Sequence, residues 1–208
     1  MPSASRRPTR LAVLVSGGGT NLQALLDAID ADADFGGEVV VVAADRADAG
    51  GLERARERGI ATVVQPLAAH GDRGAWETAL RRDVEAHRPD AVVLAGFMRI
   101  LSNAFLSGWP DRVLNTHPSL LPAFRGAHAV REALAYGVRV TGCTVHLVDE
   151  EVDHGPIVAQ EVVPIHAEDT EDRLHERIKA AEHALLPACV KLLCHDRLKV
   201  SGRLVHVL

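Results

Sequence analysis

Between residues 11 and 117 the chain repeats one rhythm, short β-branched apolar runs alternating with segments whose apolar residues recur at helical spacing, and few folds accept it. "LAVLVS" (11–16), "EVVVVAA" (38–44), "ATVV" (61–64), "DAVVLAGF" (90–97) and "RVLNTH" (112–117) have the length and composition of buried strands. "NLQALLDAIDA" (21–31), "GLERARERG" (51–59) and residues 73–87 read as helices, with Gly59 stopping the second. Strands apolar on both faces need helices on both faces, and parallel neighbours need crossovers of about a dozen residues. The expected fold class is therefore α/β, a Rossmann-like doubly wound and mostly parallel sheet.

The last third changes character. Residues 140–165 read as two longer strands around an acidic loop, extending the sheet with antiparallel strands in the C-terminal part. A long helix follows from Thr170, which Pro187 is expected to kink or split. "LKVSGRLVHV" reads as a terminal hairpin turning at Ser201 and Gly202. No linker or repeat interrupts the pattern, so one domain is expected over residues 1–208. Its halves span roughly 10–118 and 119–208, and residues 1–9 are expected to be a frayed tail.

Aromatic residues make up only 3% of the chain, so the core must rest on Val, Leu, Ile and Ala. A net charge of −5 argues against a broad nucleic-acid footprint. Three scattered cysteines, Cys143, Cys189 and Cys194, read as buried thiols of a reducing compartment. With His195 the last two hint at a metal, but no second ligand pair stands at zinc-like spacing, and none is expected. The basic start has no apolar stretch of signal-peptide type, and no run approaches membrane-spanning length, so a cytoplasmic protein without membrane partners is expected.

Four stretches carry chemistry. "SGGGTN" (16–21) lies between the first strand and first helix, where glycines and unpaired helix N–H groups make an anion cradle at Gly19, Thr20 and Asn21. Thr20 and Gln23 fit a capping box. A dinucleotide site is the rival, with Asp45 for a ribose, but Leu22 stands where its third glycine belongs. "AGFMRIL" (95–101) ends a buried strand, and Gly96 there permits close approach of a ligand. Taken alone it also reads as a strand running into a helix. Asn115 and His117 alternate onto one face of the next strand, and "VDHGP" adds Asp153. Amide, imidazole and carboxylate together suit addition to a carbonyl, the amide as oxyanion donor and the carboxylate orienting an imidazolium. No Ser or Cys has an evident base partner, and Ser119 reads as a turn residue, so direct transfer between two bound substrates is expected.

Together these segments resemble the phosphoribosylglycinamide formyltransferases, folate-dependent enzymes of purine synthesis. "SGGGTNLQALLDA", "GLERARERGIAT", "VVLAGFMRILS", "LNTHPSLLP" and "VDHGPIV" follow that family's order and spacing from Leu11 to about Leu198. The resemblance implies that the glycine loop holds the phosphate of 5-phosphoribosylglycinamide, with Gly96, Lys179 and Glu182 reaching the ribonucleotide. It implies that Arg73, Met98, Arg99, Ile100, Leu101, Asn115 and the loop Glu150, Glu151, Val152 and Asp153 hold the folate. Asn115, His117 and Asp153 match the family's catalytic trio. The implied co-substrate is 10-formyltetrahydrofolate, without metal or nucleic acid, and the expected state is a monomer or weak homodimer. Gly18, Thr20 and His154 depart from the residues common in relatives, and His154 puts the loop's pH behaviour in question. A formyltetrahydrofolate hydrolase and a non-catalytic nucleotide-binding module remain alternatives. A methionyl-tRNA formyltransferase fits less well, since the chain is acidic and lacks room for an RNA-binding domain.

Overall fold

The structure is a computed structural model that describes residues 7–208. Strands β1 (Thr9–Val15), β2 (Gly37–Ala44), β3 (Ala61–Val64), β4 (Ala91–Leu94) and β5 (Val113–His117) alternate with helices α1 (Thr20–Ala31), α2 (Gly50–Glu57), α3 (Arg73–Glu85) and α4 (Asn103–Leu106). Then come α5 (Ala129–Tyr136), β6 (Val140–Leu147), β7 (Ile157–Pro164), α6 (Glu171–Cys194), β8 (Leu198–Ser201) and β9 (Leu204–Val207). One sheet runs β3-β2-β1-β4-β5-β6-β7-β9-β8, parallel from β3 to β5 and antiparallel across β5–β6–β7. The hairpin β8–β9 joins it through one parallel register position, Ile157 with Leu204.

Alternation along β1 decides which helices pack where. Leu11, Val13 and Val15 face α1, α2 and the last turns of α6, while Ala12 and Leu14 face Trp76, Leu80 and Val84 of α3 and Phe105 of α4. The chain steps outward from β1 to β2 and β3, then returns across β1 to β4. That reversal is a topological switch, and it opens a crevice at the C-terminal ends of β1 and β4. Both segments expected to bind ligand leave the sheet there.

Several expectations are corrected. Strand β4 is shorter than residues 90–97, because Gly96, at φ +78°, turns the chain toward Ser16. Thr20 caps nothing: Gly19 is the N-cap, at φ +71° and without a side-chain bond. Pro187 does not split α6, which runs as one helix of 24 residues. The terminal turn is Gly202–Arg203, with Ser201 paired to Leu204. Of the expected tail, residues 1–6 lie outside the described residues, whereas Arg7 pairs with Asp90 and Thr9 already belongs to β1. Gly59 does end α2 in a left-handed turn. No described helix is long and apolar enough to cross a membrane.

The loop after β1 lies backbone against backbone on the start of α2. A Cβ on Gly19 would sit 2.5 Å from Gly51 Cα, and one on Gly51 would sit 2.8 Å from Val15 Cγ2. Overfilling so close a contact costs about 1–3 kcal/mol. Gly51→Ala is therefore expected to lower the urea midpoint by that much stability, and an unchanged midpoint would show that the contact yields freely.

Candidate active site

The first-turn N–H groups of α1 have no intrahelical partner, and the Gly17–Gly19 turn leaves them open: the space where Cβ atoms of Gly17 and Gly18 would stand is empty. Arg54 of α2 donates from Nε to the Gly18 carbonyl (2.8 Å) and from Nη1 to Gln23 Oε1 (3.1 Å). The cradle thus carries a cation beside its helix dipole. The sequence gives no hint of this arginine, since only the packing of α2 on the loop brings it there.

Beneath the cradle, Glu182 of α6 is buried between the loop and the sheet. Its Oε2 accepts from Asn21 Nδ2 and its Oε1 from Thr116 Oγ1, each at 3.0 Å. Asn21 Oδ1 is buried without a hydrogen-bond partner. Lys179 is not drawn into this cluster, and its Nζ pairs with Glu176 at 2.7 Å.

The end of β4 is tied to the same crevice. Met98 N donates to Ser16 Oγ (2.9 Å), and Ser16 N donates to the Gly96 carbonyl (3.1 Å). Arg99 Nε donates to Oδ2 of the buried Asp45 at 2.6 Å, while Asp45 Oδ1 has no hydrogen-bond partner. Arg73 donates to the Ile100 carbonyl. Met98 is 71% and Ile100 54% exposed, whereas Leu101 is buried, so the segment offers an apolar lip and its backbone.

Asn115 and His117 share a face of β5, and the antiparallel register sets His146 of β6 directly opposite Asn115. Asn115 Nδ2 lies 3.1 Å from His146 Nε2, and His146 Nδ1 lies 2.9 Å from the Leu147 carbonyl. A carbonyl only accepts, so His146 carries its proton on Nδ1 and receives the amide on Nε2. Burial pushes the His146 pKa down, in keeping with that neutral ring. His117 is held differently: Nε2 lies 2.8 Å from the Phe124 carbonyl and Nδ1 3.3 Å from Asp153 Oδ2. Both ring nitrogens thus face oxygen atoms.

Asp153 reaches this cluster from the loop between β6 and β7, at φ +48°, and its Oδ2 also accepts from Gly126 N at 2.8 Å. Its Oδ1 is 3.8 Å from His146 Nε2, a proximity we do not read as an ion pair because that nitrogen receives the Asn115 amide. Glu150, Glu151 and Val152 line the exposed outer side of the loop. His154 turns away from Asp153 toward Asp149 and Arg203. Ser119 is fully buried and donates to the Ala123 carbonyl, a turn role. Burial holds the Cys143 and Cys189 thiols up at about 12, so neither is a nucleophile.

The structure brings Asn115, His117 and Asp153 together with the unforeseen His146. Because the folded state holds His146 below its ordinary value of 6.5, the unfolded chain binds its proton first as pH falls. Stability is therefore expected to decline from near pH 6.5 downward until folded His146 itself titrates. Urea midpoints at several pH values should show a shallower acid decline in His146→Gln than in the parent, and parallel declines would contradict it.

The formyl transferase family model matches residues 9–190. The chain is 51% identical to the phosphoribosylglycinamide formyltransferase of Mycobacterium tuberculosis, over 97% of its own length and 91% of that relative's. It is 45% identical to the Escherichia coli enzyme of the same name, over 91% and 89% respectively. The crystal structure of glycinamide ribonucleotide transformylase 1 from Symbiobacterium toebii superposes with a TM-score of 0.93 at 46% identity, covering 97% of this chain and 95% of that one. With its sheet order, its glycine cradle and its cluster at the end of β5, the chain belongs to the formyl transferase family, among the phosphoribosylglycinamide formyltransferases.

Proposed function

We propose that this enzyme transfers the formyl group of 10-formyltetrahydrofolate to the glycyl amine of 5-phosphoribosylglycinamide, a step of purine biosynthesis in the cytoplasm. The phosphate occupies the cradle of Gly19, Thr20 and Asn21, beside Arg54. Gly96, Glu182 and Lys179 serve the ribonucleotide, Lys179 by leaving Glu176, and the buried Asn21 Oδ1 takes a ligand donor. The folate lies along Met98, Arg99, Ile100 and Leu101, with Arg73 bracing that segment and Glu150, Glu151 and Val152 walling the far side.

The amine attacks the formyl carbon, forming a C–N bond and leaving an oxyanion. Asn115 has one N–H engaged by His146 and donates the other to that oxygen. His117 supplies positive charge by exchanging the Phe124 carbonyl for the oxyanion, and Asp153 holds the ring. A proton then passes from the attacking nitrogen to the folate nitrogen, the C–N bond to folate breaks, and formylated ribonucleotide and tetrahydrofolate leave. The observation that carries this reading is the convergence of three groups: His117 Nδ1 lies 3.3 Å from Asp153 Oδ2, and Asn115 Nδ2 lies 3.1 Å from His146, whose ring is 3.8 Å from Asp153 Oδ1.

Following deformylation by absorbance tests it. Turnover should require the ribonucleotide, and equal turnover without it would make water the acceptor. Removing one oxyanion donor costs on the order of a hundredfold or more in kcat. Asn115→Ala and His117→Ala are each expected to lose at least that much while folded by circular dichroism, and near-normal turnover would remove the role assigned to that residue.

A further inference from the structure

We infer that Arg203, in the turn of the terminal hairpin, is a positioning residue for formyl transfer: it fixes the loop that aims Asp153. The inference rests on the proposed role of Asp153. The loop is closed at its base by Leu147 N donating to the Pro156 carbonyl at 2.9 Å. Within it, Asp153 adopts a left-handed backbone at φ +48°, a region that Asp visits more readily than most residues with a Cβ and that its surroundings here fix.

Those surroundings can be named. Gly155 leaves no space for a side chain, since a Cβ there would fall 1.8 Å from the Leu147 carbonyl oxygen. Asp149 accepts from Glu151 N at 3.1 Å through Oδ1 and from His154 Nδ1 at 2.7 Å through Oδ2. Arg203 then grips the residue next to Asp153 twice, with Nη2 donating to the His154 carbonyl (2.6 Å) and Nη1 lying against the imidazole, 2.9 Å from Nε2 and 3.3 Å from Nδ1. On the inner side, Gly126 N holds the Asp153 carboxylate. The loop is thus clamped between Gly126 and Arg203, with Asp153 between them.

Arg203 is delivered by backbone geometry. Gly202, at φ +60°, makes the two-residue turn, and Leu204 pairs with Ile157 just beyond the loop. The competing account is that Arg203 merely anchors an exposed hairpin. That account predicts a loss of stability and no selective effect on the chemistry.

A double-mutant cycle in the full chain separates the two. Misaiming a catalytic group costs roughly ten- to a hundredfold in rate, so Arg203→Ala is expected to lower kcat about tenfold in the parent. In an Asp153→Asn background the same change should cost about twofold or less, because nothing remains to aim. KM for the ribonucleotide should hold, and Arg203→Lys, which keeps one donor for the His154 carbonyl, should recover part of kcat. Equal losses in both backgrounds, or a lower Tm with unchanged kcat, would overturn the positioning role while leaving Asp153 in place. Full turnover in Asp153→Asn alone would overturn the role of Asp153 itself, and with it any action of Arg203 through it.

Discussion

A carboxylate taken out of water must be given partners, and leaving one unpaired costs several kcal/mol. Glu182, 5% exposed, meets that demand with the amide of Asn21 and the hydroxyl of Thr116. Three parts of the chain far apart in sequence are thereby brought to one point: the first turn of α1, the end of β5 and the middle of α6. The alternation of β5 does the rest. With Thr116 turned to Glu182 on one face, Asn115 and His117 must stand on the other, where the crevice opens. A binding loop and a reactive cluster are held in register by one buried acid.

The second determinant is the change from parallel to antiparallel pairing at β5. A parallel neighbour would have continued the helical layers. The antiparallel β6 instead sets His146 opposite Asn115 and returns through a short loop to Asp153. Asn115 is oriented by a neutral ring, and His117 by a carbonyl and a carboxylate. Two imidazoles in one cluster thus face different hydrogen-bonding partners.

Much of this was legible in the sequence, and the reason is local. Apolar runs of four to eight residues announce strands, and i, i+2 spacing placed Asn115 and His117 on a shared face. Glycine before a helix marked the cradle for the same reason. What escaped depends on register and on contacts between distant elements. No sequence pattern marks His146, because only pairing with β5 sets it against Asn115. Nor does any pattern single out Arg54, which reaches the cradle only through the packing of α2 on the loop. The capping box at Thr20 failed because Gly19 could take a left-handed N-cap that the Thr–Gln spacing does not disclose. His154 was noticed as a departure, but its partner Arg203 lies 49 residues away.

The meeting of β7 and β9 at a single position has a consequence for how the protein behaves in a crowd. Beyond Ile157 the outer margin of β7 is a strand edge, and such margins invite pairing with the backbone of another chain. Glu161 sets an exposed charge midway along it, and Pro164 closes it with a residue that has no N–H to offer. An intruding strand would have to desolvate the acid and would find a donor missing at the end. Two side chains thus oppose strand addition along the margin that the short hairpin leaves bare.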